Sequence, residues 1–169
     1  YQLVWKQLEI IQAICNEKQA ALHHVKLHGA LYNMAAKDKS ISNITAQAVK
    51  DFNPELIFYG LSGSVMISEA KALGLKTANE VFADRTYQPD GTLTPRTQPH
   101  ALIKQSTEVI RQVEQIVKEK RVTTLTGEII PIKADTICIH GDGDHALEFT
   151  KSIHRSLQSF GCKISAGSL

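Results

Sequence analysis

The chain has 169 residues, 43% of them hydrophobic and 21% charged, with a formal net charge of +2, which suits one soluble globular domain spanning residues 1–169. Its Lys and Arg are scattered, and four Tyr, five Phe and one Trp offer little for base stacking, so nucleic acid is excluded as the natural partner. No apolar run approaches the roughly 18–20 residues a bilayer span needs, which excludes a membrane helix, and Cys15, Cys138 and Cys162, far apart and odd in number, argue against a disulfide framework or a cysteine zinc site and for a reducing, cytoplasmic setting.

The chain opens at Tyr1 with no Met, directly in helical sequence, and the expectation is that further sequence precedes it. Leu3, Val4, Leu8, Ile11, Ile14, Cys15 and Leu22 recur near a 3.6-residue period and predict an amphipathic helix over 3–22. A short β-compatible stretch, 23–28, follows and ends at Gly29. Helices are predicted over 30–36 and from about Ser42 to Asp51, and Asn53-Pro54 breaks the second. The run 56–59 has the character of a buried strand, Gly60 to Ser64 form a turn, and helical spacing resumes over 65–73. A strand over 76–82 feeds a long polar loop, 79–95, punctuated by two prolines and by Asp90-Gly91. Beyond it come a helix over 105–119 with Ser106 as its N-cap and Val109, Ile110, Val113, Ile116 and Val117 as its apolar face, a hairpin over 123–133 around Thr126-Gly127, and a buried strand over 135–140. The last helix carries Ala146, Phe149, Ile153, Leu157 and Phe160 on one face, with Asp144 as a candidate N-cap, Gly161 as the C′ residue and 162–165 as a candidate final strand.

Strand alternating with helix predicts an α/β fold with parallel strands and helical crossovers. Sites in such sheets lie beyond the carboxyl ends of the strands, and the polar residues fall there: Lys26 and His28, Ser62 and Ser64, then Glu80, Asp84 and Arg85, and last His140 and Asp142. If all four strands run one way, these sets share a rim. Lys26 and His28 alternate along an extended segment and so point the same way, Lys as an anion partner and His as a proton carrier or metal ligand. Gly60 to Ser64 reads equally as an anion-binding loop at a helix N-terminus and as simple turn and N-cap chemistry. Glu80, Asp84, Arg85 and Arg96 read either as two ion pairs or as an acid–base carboxylate with an arginine clamping substrate. His140, Asp142, Asp144 and His145 are potential ligands or proton carriers, and whether a metal binds is left open. No dinucleotide or P-loop motif is present.

At these residues the chain resembles a known family. The stretches 25–33, 59–64 and 80–87, with Gly91 and Pro95-Arg96, and then 134–142, follow in order the motifs of the LamB/YcsF family, the A subunit of bacterial ATP-dependent 5-oxoprolinase. The resemblance implies a (β/α) barrel related to the glycoside hydrolase and polysaccharide deacetylase group, here incomplete: the carboxy-terminal two-thirds of the barrel, without the amino-terminal part. It implies opening of the 5-oxo-L-proline lactam to L-glutamate with ATP as co-substrate, in concert with B and C subunits. It further implies catalytic roles for Lys26, His28, Asp84, His140 and Asp142, and substrate contacts from Asn33, Ser62, Ser64, Glu80, Arg85 and Arg96. This chain departs from the family pattern at Leu27, where proline is usual, and at Gly143-Asp144, where Thr-Pro is usual. The alternatives are a metal-dependent deacetylase or amidohydrolase using His28, His140 and Asp142, and a non-catalytic scaffold subunit.

Overall fold

A computed structural model describes residues 1–141 and 146–165. Two compact units emerge, Tyr1–Asn79 and Glu80–Leu169.

In the first unit, helix α1 (Gln2–Glu17) is followed by β1 (His24–Lys26), α2 (Gly29–Ala35), α3 (Lys39–Phe52), β2 (Ile57–Leu61), α4 (Val65–Ala72) and the opening of β3 (Thr77–Phe82). Strands β1 and β2 are parallel, pairing His24 with Ile57, Val25 with Phe58 and Lys26 with Tyr59. Phe58 N–H donates to Lys76 O, so β2 is tied to the residue just ahead of β3. Most of β2 is buried, as expected of a parallel strand covered on both faces. Helix α4 packs so closely on β2 that a Cβ added at Gly60 would lie 2.9 Å from Met66 Cβ. That contact, rather than any turn, is what requires glycine there.

Three expectations are corrected in this unit. Helix α1 ends well before residue 22, because the chain turns at Lys18 and Gln19 adopts a left-handed φ of 53°; only Val4 and Leu8 of its stripe are buried. Helix α3 starts ahead of Ser42, since Asp38 caps it by accepting the Ile41 N–H at 2.9 Å. The strand expected over 23–28 stops at Lys26, leaving His28 as the N-cap residue of α2 with an extended backbone.

In the second unit, the end of β3 is parallel to β6 (Thr136–Cys138), pairing Glu80 with Thr136, Val81 with Ile137 and Phe82 with Cys138. Between them lie α5 (Ser106–Glu119) and the hairpin of β4 (Arg121–Thr123) and β5 (Ile129–Pro131); α6 (Ala146–Ser159) follows. The predicted hairpin and the parallel strands are both present. The core gathers Ala83, Val109, Val113, Phe149, Ile153 and Leu157, with Ile137 and Ile139 against it. The 3.6-residue stripes read in α5 and α6 are therefore the faces that meet.

Here too the ends differ from expectation. Gln105, not Ser106, is the N-cap of α5; the Ser106 hydroxyl instead donates to Glu148 Oε1 at 3.0 Å. Strand β6 is shorter than 135–140. Gly161, with φ of 74°, closes α6: its N–H donates to Gln158 O and that of Cys162 to Leu157 O, the Schellman pattern. No strand forms over 162–165. The candidate cap Asp144 lies outside the described residues. Among the described residues, no helix is long and apolar enough to cross a membrane, and Cys15, Cys138 and Cys162 are free thiols.

Candidate functional site

In the first unit the carboxyl end of β1 delivers Lys26, half-buried, and two residues later His28, exposed. Both line a cleft of about 460 Å³ whose other walls include Val4, Leu8, Leu27 and Leu31. The Lys26 ammonium stands 5.9 Å from the centre of the Tyr32 ring, within reach of a cation–π attraction. Asn33 turns back along α2 and donates to Gly29 O. After β2, Ser62 is buried, and Ser64 takes the N-cap position of α4: its Oγ accepts from Met66 N–H at 3.3 Å and its hydroxyl donates to Leu61 O at 2.7 Å. Of the two readings of this turn, the capping one accounts for the whole hydrogen-bonding capacity observed at Ser64.

In the second unit β3 ends at Phe82 and the chain enters its long loop. Glu80 is buried within β3 itself. Asp84, 7% exposed, accepts the His140 backbone N–H at 3.0 Å, and both of its carboxylate oxygens lie 3.0 Å from His140 Nδ1. Two residues that are 56 apart in sequence are thus gripped at two points. The His140 ring also stacks on Phe82, with centroids 5.6 Å apart and planes at 26°. Burial works against a charged Asp84, but the hydrogen bonds from the His140 ring and backbone outweigh it and hold the carboxyl below its ordinary range. An ionised carboxylate facing Nδ1 assigns the ring proton to that nitrogen. Nε2 is then the proton acceptor of the neutral ring and the donor of the charged one.

Arg85, one residue on, points elsewhere. It is buried, and its guanidinium donates to Ala101 O at 3.1 Å and to Thr94 O at 2.5 Å. Burial first, and the like charge of Arg96 second, push its pKa down, while Asp84 opposes them. The arrangement makes Arg85 a strut that closes the loop onto itself, and the ion-pair reading of Arg85 with its neighbouring carboxylates is not what the hydrogen bonds show. Arg96 is exposed. Asp90 Oδ1 accepts the Thr92 N–H and hydroxyl at 2.9 and 2.6 Å, and Tyr87 bridges to Leu93 across the loop, so the polar stretch is an ordered turn. Asp142 lies outside the described residues. Among the described residues, no three His, Cys, Asp or Glu side chains group as a metal site would require.

Two residues at this site are given no role by sequence reasoning. Tyr87, wholly buried, accepts the Phe82 N–H on its phenol oxygen at 2.7 Å, and burial drives its pKa far above the ordinary value. Gln112 projects from α5 toward the same turn, its Nε2 donating to Phe82 O and Arg85 O at 2.9 Å and to Ala83 O at 3.2 Å. A signal for Gln112 existed: an amide interrupts the apolar stripe of Val109, Val113 and Ile116.

A family model described as the LamB/YcsF family matches residues 1–168. The chain is 51% identical over 165 residues to a protein of Halalkalibacterium halodurans named as the A subunit of 5-oxoprolinase, covering 98% of this chain and 64% of that relative. A protein of the same name from Oceanobacillus iheyensis is 52% identical over 164 residues, covering 97% and 64%. The crystal structure of a lactam utilization protein from Thermus thermophilus superposes with a TM-score of 0.87 at 35% identity, covering 97% of this chain and 65% of that one. The chain therefore spans about two-thirds, 64%, of the length of these curated relatives.

Proposed function

The chain belongs to the LamB/YcsF family, and on that premise we propose that it forms part of the A subunit of a 5-oxoprolinase, which opens the lactam of 5-oxo-L-proline to L-glutamate with hydrolysis of ATP. The substrate rests on likeness to relatives that bear this name at about half identity. The chemistry rests on one observation, the double grip of Asp84 on His140. A five-membered lactam is a stable amide, so phosphorylation of its carbonyl oxygen by ATP supplies the driving force. Water then adds to the carbon while His140 Nε2 takes its proton. The imidazolium so formed is stabilised by Asp84 and returns the proton to the ring nitrogen as the C–N bond breaks. A second water releases the phosphate, giving glutamate.

In the first unit, Lys26 is the cation proposed to hold a carboxylate or phosphate oxygen, with His28 beside it as a proton carrier. Asn33, Ser62, Glu80, Arg96 and Asp142 keep their family-implied roles as proposals, whereas Ser64 and Arg85 act through the backbone they fix. The partners in this reading are B and C subunits, and the setting is cytoplasmic.

The test is the full-length protein in complex with B and C subunits, in which glutamate release and ATP turnover are measured together. His140→Ala is expected to lower glutamate release by roughly 10²–10⁴-fold, the usual worth of a general acid–base group. Lys26→Ala is expected to abolish or uncouple ATP turnover. Undiminished glutamate formation in either variant, or in the complex lacking this protein, refutes the corresponding role.

A further inference from the structure

Gln112 makes no part of the family's motif stretches, yet its amide meets the chain at the turn from which Asp84 projects. The three carbonyls around Nε2 belong to Phe82, Ala83 and Arg85, so they bracket Asp84 on both sides. An amide nitrogen carries two hydrogens, hence one is shared among these acceptors, and the orientation is unambiguous because Oε1 facing them would be repelled. The neighbouring groups complete the hold: Tyr87 accepts the Phe82 N–H, Ala83 N–H donates to Cys138 O, and Asp84 O accepts from Ile103 N–H. The Tyr87 bond crosses the turn from within the loop, whereas Gln112 reaches it from α5 and ties the carbonyl at the end of β3 to the one just beyond Asp84.

We propose that Gln112 is a positioning residue for the Asp84–His140 pair, fixing the direction of the Asp84 side chain by clamping the carbonyls on either side of it. The pair requires a carboxylate placed to receive both the His140 ring and its backbone N–H; a turn free to rotate its peptide planes satisfies one at the expense of the other. A displacement of about 1 Å in such a constellation is enough to cost roughly a hundredfold in rate. The catalytic consequence rests on the acid–base role proposed above, but the geometric one does not.

The experiment uses Gln112→Met, which keeps length and helix propensity and removes the donor, and the milder Gln112→Asn, which keeps the amide but shortens its reach. Two readouts are taken. In the chain itself, ¹³C NMR follows the Asp84 carboxyl through its titration, with His140 as the ionisable group hydrogen-bonded to it and Arg85 as the further charge acting on it. Its midpoint is expected to move up toward the ordinary carboxylate range in Gln112→Met and by less in Gln112→Asn. In the assembled enzyme, kcat is expected to fall about ten- to a hundredfold with KM within roughly twofold. If melting temperature falls while the Asp84 titration stays where it was, Gln112 only satisfies carbonyls and the proposal is overturned. A shifted titration with unchanged kcat supports the positioning and instead removes Asp84 and His140 from the proton-transfer role.

Discussion

At the scale of single residues, the proposed chemistry turns on which nitrogen of His140 holds the proton. Asp84 decides it, because a carboxylate that accepts at Nδ1 favours the tautomer with Nε2 open. ¹⁵N NMR of the imidazole is expected to show the Nδ1–H form in the parent chain. Asp84→Asn, whose amide can present either an oxygen or an NH₂ to the ring, is expected to relax that preference; an unchanged tautomer ratio would show that something other than Asp84 sets it. Tyr87→Phe tests the turn from the other side. Removing the hydroxyl deletes the bond that Tyr87 accepts from the Phe82 N–H in a fully buried setting, and the cost is expected to be about 1–3 kcal/mol by chemical denaturation. Asp84 and His140 were both readable as candidates from the residues themselves. Their mutual contact was not, since it joins positions on separate elements.

Among elements, the periodic ones were the most legible. The apolar stripes of α5 and α6 and the unbroken hydrophobic run of β2 announce themselves through spacing, because burial of one face demands it. Element ends were less so. Asp38 opens α3 ahead of Ser42, and Gln105 takes the cap position that a preference for Ser had assigned to Ser106, while β1 stops at Lys26 although its partner β2 runs on to Leu61, an end that no local propensity encodes. Two substitutions separate capping from packing around α4. Ser64→Ala removes the acceptor for the Met66 N–H and is expected to cost about 0.5–2 kcal/mol. Gly60→Ala drives a methyl against Met66 Cβ and is expected to cost about 1–3 kcal/mol through overpacking. Urea midpoints measure both; a Gly60→Ala variant as stable as the parent would mean that α4 and β2 are less closely apposed than described.

For the whole molecule, the Asp84 grip shows itself as acid sensitivity. A carboxyl whose folded pKa lies below its unfolded value, about 3.9 for Asp, contributes stability that is fully present above that unfolded value and is lost as pH falls through the lower, folded one. The depressed Asp84 carboxyl is therefore expected to stabilise the parent over Asp84→Asn at neutral pH, with the difference shrinking below about pH 4. Denaturant unfolding of both chains across that range checks the sign; a gap that widens on acidification would contradict it.

What the order of residues determined alone was the class of structure and the pool of chemistry: alternating strand and helix, parallel pairing, and a set of Lys, His, Asp and Arg at strand ends in motifs that match one family. Local spacing and turn residues carry that information, because they act within a few positions along the chain. Which of those side chains meet was decided only in three dimensions. Arg85 closes on backbone carbonyls and Ser64 caps a helix, while Asp84 reaches His140 and Gln112 grips the turn that bears Asp84, because each partner arrives on an element whose placement comes from packing rather than from its own sequence.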